Sequence, residues 1–314
     1  MSARTHTVSE HSKITAGIVT YNSADYVRTC LESVATHLAE AFPVIFVLDN
    51  ASSDNTVSVV SQVQKRYPFP ITVLRQETNH GYAWGANRIC ELAKTEWICL
   101  INPDARLLNP ILEHVKTISK RIPTCGVIGG IFTDGEGHPQ ECGGAFPTPL
   151  MAVWDWCGLR KILPRRSWST NVKLNLAPDA PPRRIDYPTG AFWIFRREVY
   201  SRVGPFDERF FLYFEETDFC KRALEKGWPS YILPAIRIEH HRGASFGKGS
   251  EADPLSIYFE SLIKYLYKHF PKTRVQPAIG AIDGFLHARR WLLKDEKSER
   301  ILSAFLAGRE RATG

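Results

Sequence analysis

The side chains in this sequence that could do chemistry are mainly carboxylates, and they occur in three settings. An apolar run at residues 97–101, W-I-C-L-I, stops on Asn102-Pro103-Asp104. A carboxylate just beyond a buried strand can hold a hard cation, and the cation a diphosphate. The same triplet can also serve only as a turn and a helix cap. Asp49 ends a second apolar run, 44–48. It suits the imide N–H of a uracil or thymine ring, or a ribose hydroxyl, unless it is an N-cap, for which Asp54 is better placed. Glu215, Glu216 and Asp218 directly follow the aromatic segment 210–214, F-F-L-Y-F. Acids in a helix's first turn complement its dipole. Beside aromatic rings they are also partly desolvated, which raises carboxyl pKa values and makes a better general base near neutral pH. Finally, His240-His241 end a later apolar stretch. They could complete a metal site with Asp104, contact phosphates, or be polar surface.

The elements that must carry these groups alternate regularly. The run 14–19 is broken by Thr20-Tyr21-Asn22-Ser23, then Tyr26, Leu31, Val34 and Leu38 recur at helical spacing, with Asn22 or Ser23 as N-cap. Residues 44–48 read as a strand and 56–67 as a helix. Residues 71–74 make a third strand, with a glycine-rich loop and a helix through Ala93 after it. The strand 97–101 is followed by a helix over 110–121. Such alternation predicts an α/β fold, a parallel sheet with helices on both faces. It follows that Thr20-Tyr21-Asn22, Asp49-Asn50, the segment Asn79 to Asn87, and Asn102-Pro103-Asp104 line one sheet edge and one crevice. The segment N-H-G-Y-A-W-G-A-N lacks the dinucleotide fingerprint, and no P-loop occurs in the chain. Gly81 and Gly85 would still let backbone approach a nucleotide or its diphosphate.

Beyond residue 132 the rhythm fails. Asp134-Gly135-Glu136-Gly137 reads as a hairpin turn. Residues 146–182 show no period and carry Trp154, Trp156 and Trp168, which could cover a site, stack on a sugar, or pack on the core. Two short strands, 231–233 and 236–238, precede helical patterns from 254 onward and over 285–306.

At 314 residues the chain has room for one large domain, or one domain plus an appendage. No apolar run approaches a membrane span, and the polar N-terminus lacks the core of a signal peptide. Residues 1–12 read as a disordered lead, and the protein as cytoplasmic. Seven cysteines without a Cys-x-x-Cys pair read as buried free thiols in a reducing compartment. The net charge of +7 is uneven. Seven Lys or Arg against Asp283 alone lie between Lys264 and Lys294, away from the candidate site. Beside Trp291 these could rest on an anionic membrane as a peripheral contact, or be solvated faces of packed helices. No motif supports nucleic-acid binding.

Taken together, these strings resemble the inverting, GT-A-fold glycosyltransferases of family 2, in particular the rhamnosyltransferase-like members. The resemblance rests on Thr20-Tyr21-Asn22, Asp49-Asn50-x-Ser52-x-Asp54, Asn79-x-Gly81 through Gly85-x-Asn87, and Asn102-Pro103-Asp104. It continues with Gly190-Ala191 before Arg196-Arg197, Phe206-Asp207-Glu208-x-Phe210-Phe211, Glu215-Glu216-x-Asp218, and His240-x-x-Gly243-x-Ser245. It implies a GT-A domain over residues 13–248, a helical extension over 249–314, and a Mg2+ or Mn2+ ion on Asp104 and His240. It implies nucleotide-sugar contacts from Thr20, Tyr21, Asn22, Asp49, Asn79, Gly81, Asn87, Asn102 and Asp104. Glu216 stands where the family carries an aspartate base, with Glu215 beside it as the other candidate. The implied donor is dTDP-rhamnose, or else a UDP-sugar. The acceptor is a saccharide or polyprenyl-linked saccharide in cell-surface polysaccharide synthesis. A non-catalytic sugar-nucleotide binder and a sugar-nucleotide pyrophosphorylase are the competing readings.

Overall fold

A computed structural model describes residues 14–41, 43–67, 70–159, 172–241 and 253–313. The N-terminal lead, Trp168, Gly243 and Ser245 lie outside the described residues. The strands are β1 (Ile14–Thr20), β2 (Val44–Asp49), β3 (Ile71–Arg75), β4 (Trp97–Ile101), β5 (Ala105–Leu107) and β6 (Val127–Thr133). They continue with β7 (Glu141–Gly144), β8 (Val172–Lys173), β9 (Arg183–Ile185), β10 (Tyr187–Pro188), β11 (Phe192–Arg196) and β12 (Ser230–His240). The helices are α1 (Val27–His37), α2 (Thr56–Gln64), α3 (Tyr82–Leu92), α4 (Leu112–Arg121) and α5 (Pro149–Trp156). After them come α6 (Arg197–Val203), α7 (Glu215–Glu225), α8 (Pro254–His269), α9 (Lys272–Leu293) and α10 (Glu296–Thr313).

The central sheet runs β3-β2-β1-β4-β11-β6-β12-β5, with β9 also paired to β12. β1 to β4 are mutually parallel, and β12 is parallel to β6. β11 is antiparallel to both of its neighbours, β4 and β6. The expected mostly parallel sheet is therefore present, and β11 enters it from the opposite direction. Its first residue, Phe192, pairs with Ile101, the last residue of β4. Gly190 and Ala191 thus arrive at the same sheet edge as the carboxyl ends of the parallel strands, and Asn102 N–H donates to the Ala191 carbonyl at 2.9 Å.

Alternation along β1 sends side chains to both faces. Ile14, Ala16 and Ile18 join one buried cluster with α1 and α4, while Val19 joins another with Ala86 and Ile89 of α3 and Phe219 of α7. A third cluster unites α8, α9 and α10 with Phe210, Phe214 and Ala152. The C-terminal helices are thus sewn to the loop that precedes the acid run, and no helix among the described residues is long and apolar enough to cross a membrane.

Several sequence expectations change. Residues 231–233 and 236–238 belong to one strand, β12, whose register to β6 shifts between Ile232 and Arg237. Pro234 has no N–H for the ladder, and the Asn109 side chain bonds the Ala235 carbonyl and the Arg237 N–H instead, at 2.9 and 3.0 Å. The helical stretch 285–306 is two helices that meet at Lys294, whose φ of 52° is left-handed. Helix α1 starts later than expected, after Tyr26, without a side-chain cap. The Asn22 side-chain oxygen Oδ1 instead accepts the Ser53 N–H at 2.8 Å, tying the first strand end to the second.

Candidate active site

The edge of the parallel strands is organised by side chains that bond one loop to the next. Thr20 Oγ1 donates to Asp49 Oδ1 at 3.0 Å, and the Ser52 N–H reaches Asp49 Oδ2 at 3.2 Å. Asn50 bridges to the third loop, donating to the Gly81 carbonyl at 3.0 Å and accepting the His80 N–H at 3.2 Å. Asn79 accepts the Gly81 N–H at 2.9 Å, which fixes the turn into α3. Gly81 has φ +86°, and a Cβ there would strike the Phe211 carbonyl. Only glycine fits both the conformation and the contact. Asn87 points away from this edge. Its oxygen accepts from the Phe206 N–H and the Tyr200 hydroxyl, and its amide donates to the Phe206 carbonyl and Glu208. All of its hydrogen-bonding capacity fastens α3 to the segment before the acid run. Tyr21 is half-buried at the end of β1.

A cleft of about 860 Å³ opens beside this edge. Asn102, Asp104, Glu215, Glu216 and His240 all line it, although they are spread over 139 positions from 102 to 240. Thr20, Asn22, Asp49, Asn79, Gly81 and Asn87 are not among its lining residues. Tyr82, Trp156, Thr189, Gly190, Tyr213, Tyr258, Lys297 and Arg300 are, and sequence reasoning singled out few of them as site residues. Gly190, already named with Ala191 in the family resemblance, packs beside Glu216, where an added Cβ would lie 3.7 Å from the carboxyl carbon. No sequence signal places the α8 and α10 residues, because long-range packing brings them there.

Asp104 and His240 meet because β5 and β12 pair antiparallel, with His240 opposite Ala105. Asp104 Oδ1 lies 3.4 Å from His240 Nε2. Asp104 Oδ1 and His240 Nδ1 are buried without a hydrogen-bond partner. Buried polar atoms are normally satisfied, so Asp104 Oδ1, which faces His240 Nε2, points to a ligand between the two; His240 Nδ1 stands on the other side of the ring and is no part of that pair. Ligands at about 2.1 Å from one cation, at right angles, stand roughly 3 Å apart, so this pair fits two neighbouring positions on one ion. Among the described residues no group of three or more His, Cys, Asp or Glu could hold a metal. A Mg2+-like ion needs no more than one or two protein ligands when substrate phosphates and water supply the rest.

The acid run stands on strained backbone. Tyr213 and Phe214 have φ of 66° and 67°, left-handed values that bulky residues rarely adopt. The surroundings impose this conformation. The Tyr82 N–H donates to the Phe211 carbonyl, and Ser261 Oγ of α8 to the Leu212 carbonyl, both at 2.8 Å. The Phe214 ring packs on Tyr258 and Tyr265 of α8, with centroids 5.3 and 5.4 Å apart. The turn aims the start of α7 into the cleft. Burial raises the Glu215 carboxyl well above the usual range, the Glu216 charge adds to this, and the two acids share a hydrogen bond that favours the proton on Glu215. Burial also lifts Glu216, to about 6, against the opposing pull of backbone N–H groups and the bond from Glu215. Oε2 of each is buried and unpartnered.

Asp218, only two residues further on, differs completely. It is fully buried and meets Lys268 at 2.6 Å, His269 at 2.8 Å and Arg222 at 2.8 Å. Burial alone would raise its pKa, but His269, Arg222 and Lys268 together hold it below the ordinary value.

A curled, mostly parallel sheet with strand ends and an acid run facing one cleft is the GT-A class of transferase folds. The mannosyltransferase PcManGT of Pyrobaculum calidifontis, in complex with GDP-Man and Mn2+, superposes with a TM-score of 0.57 at 14% identity, over 96% of this chain and 86% of that one. GalNAc-T7 with UDP, GalNAc and Mn2+ gives the same TM-score at 14% identity, and this chain covers 48% of its length. The family model described as glycosyl transferase family 2 matches residues 15–204, and the chain belongs to that family. It is 28% identical to the N-acetylglucosaminyl-diphospho-decaprenol L-rhamnosyltransferase of Mycobacterium tuberculosis, over 79% of this chain and 82% of that protein.

Proposed function

We propose that this glycosyltransferase moves rhamnose from dTDP-rhamnose to a hydroxyl of a lipid-linked saccharide, with inversion at the anomeric carbon, in cell-surface polysaccharide synthesis. The observation that carries the reading is the placement of Glu216 in one cleft with Asp104 and His240. Similarity to a rhamnosyltransferase acting on a lipid-diphosphate-linked sugar supports the donor and acceptor.

Glu216 is the general base. Its pKa near 6 leaves it ionised at neutral pH, while Glu215 keeps its proton and donates to it. Glu216 takes the proton from the acceptor hydroxyl, whose oxygen bonds to the anomeric carbon. The bond from that carbon to the diphosphate oxygen breaks on the opposite face, so configuration inverts. Asp49, held by Thr20 and Ser52, accepts from the base or ribose of the donor. Tyr21, Asn22, Asn79 and Gly81 shape the nucleotide loops. Asn102 sets the turn that presents Asp104, since the Ala105 N–H donates to its carbonyl at 3.1 Å. Asp104 and His240 would hold Mg2+ or Mn2+, which when bound neutralises charge on the departing nucleoside diphosphate. Residues 13–248 form the donor and catalytic body, and residues 249–314 supply the acceptor-facing wall.

The test is release of nucleoside diphosphate from dTDP- and UDP-sugars, with and without Mn2+. Turnover that favours dTDP-rhamnose and needs the cation is expected. A chain that binds these donors and never releases nucleoside diphosphate is a binder, and the reading fails.

A further inference from the structure

The first turns of α10 sort their charges by face. Glu296 and Glu299 line a shallow groove on the outer side with His287, Arg290, Trp291, Lys294 and Asp295. Lys297, Arg300 and Ile301 instead line the active-site cleft, the same cavity that holds Glu216 and Asp104. Glu299 is taken by Arg290 at 2.7 Å. Arg300 meets Asp253 at 3.0 Å, in a bridge whose arginine is 69% exposed and free to exchange partners. Lys297 stands near Asp295, which accepts the Ser298 N–H at 2.6 Å and so caps the first turn of α10. Lys297 and Arg300 bring two cationic side chains to this end of the cleft.

The corner that leads into this turn carries a second, independent oddity. Trp291, Leu292 and Leu293 end α9 consecutively and are 74%, 68% and 56% exposed. Trp291 and Leu292 are the two most exposed large apolar side chains among the described residues, and all three stand within ten positions of Arg300. A tryptophan with two leucines at a helix end, next to cations, suits the boundary between lipid and water. The other exposed large apolar side chains, Leu92, Leu108, Leu150 and Phe211, are spread along the chain, whereas these three are consecutive.

Resting on the reading of the cleft as a sugar-transfer site, we infer that the α9–α10 corner is the acceptor's lipid-diphosphate subsite. Lys297 and Arg300 bind the diphosphate that joins the acceptor sugar to its lipid. The apolar chain leaves the cleft over Trp291, Leu292 and Leu293 toward the bilayer. The acceptor sugar is then held between the cationic rim and Glu216, with Tyr258 and Trp156 as its walls. Charge and apolar contact are both needed, which gives the site a preference that neither free pyrophosphate nor a neutral prenol satisfies.

Equilibrium binding to the full chain tests this without any turnover. The probes are geranylgeranyl diphosphate, geranylgeraniol and inorganic pyrophosphate, all in EDTA so that the Asp104–His240 pair holds no cation. The unmodified chain should bind the prenyl diphosphate roughly tenfold or more tighter than either other probe. Lys297→Glu with Arg300→Glu should erase the advantage over the alcohol. Trp291→Ser with Leu292→Ser should erase the advantage over pyrophosphate. These side chains are largely exposed, and unchanged thermal melting confirms that the variants fold. Equal binding of the three probes by the unmodified chain overturns the inference, as does a double-charge variant that keeps the preference. Absence of donor turnover with this binding pattern intact would sink the transferase reading alone.

Discussion

Glu216 and Asp218 stand two residues apart on α7, on nearly opposite sides of the helix, and their settings are opposite. Glu216 faces an open cleft, pairs with no cation among the described residues, and burial lifts its pKa to about 6. Asp218 faces inward to Lys268, His269 and Arg222, and its pKa falls. The first costs stability when ionised; the second is the peg that fastens α8 to α7. The same residue class is raised or lowered in pKa according to whether a cation reaches it. Positions two apart on a helix project to nearly opposite sides, so one acid meets the cleft while the other lies under α8.

Removing the reactive carboxylate should give the largest effect. Glu216→Gln should lower transfer by roughly 10²- to 10⁴-fold, the usual contribution of a general base, and leave donor-induced thermal stabilisation intact. Near-normal turnover would move the base to Glu215 and collapse the contrast. Removing the peg should act on folding instead. Asp218→Asn leaves Lys268 and Arg222 facing a neutral amide and should cost about 3 kcal/mol in a urea titration. A loss of activity at full stability would mean that Asp218 belongs to the chemistry.

The pH dependence separates the two acids by sign. Glu216 has a folded pKa above its unfolded value, so the folded state binds more protons between about 4.5 and 6. Stability therefore declines as pH rises through that window, and Glu216→Gln should gain about 1–2 kcal/mol at pH 7. Transfer moves the other way, rising about tenfold per unit up to pH near 6 and then levelling. Asp218, with a depressed pKa, contributes stability above the ordinary carboxylate range and loses it as pH falls below. A denaturation series from pH 3 to 8 on the two variants reads both slopes; parallel slopes would refute the assignment. The smallest effect is expected at Glu215. Its carboxyl is held protonated, so Glu215→Gln preserves shape and charge and should change turnover by less than about tenfold.

Much of the fold was legible before any coordinates. The regular alternation of apolar runs and helical spacings dictates a parallel sheet, and a parallel sheet places strand-end polar groups on one edge. The run E-E-T-D after F-F-L-Y-F was legible as desolvated acid, because composition alone brings rings and carboxylates together. Asn87 was misjudged in kind: its place in a glycine-rich segment suggested ligand contact, whereas it spends every hydrogen bond on residues 200–208. None of the seven basic residues from Lys264 to Lys294 lines the cleft, and Lys264 and Lys268 are paired with Glu260, Asp207 and Asp218; the cations that reach the cleft, Lys297 and Arg300, lie just beyond that run.

What the sequence by itself determined is the order of elements, the sheet edge that gathers Thr20, Asp49 and Asp104, and the desolvation of the acid run. These follow from local periodicity and from the two-residue repeat of a strand. The tertiary structure alone decided which acid of the run faces the cleft and which is docked by cations, that His240 meets Asp104, and that the last helices wall the cleft. Those facts depend on contacts between residues about 50 to more than 130 positions apart, where no local pattern records which partner arrives.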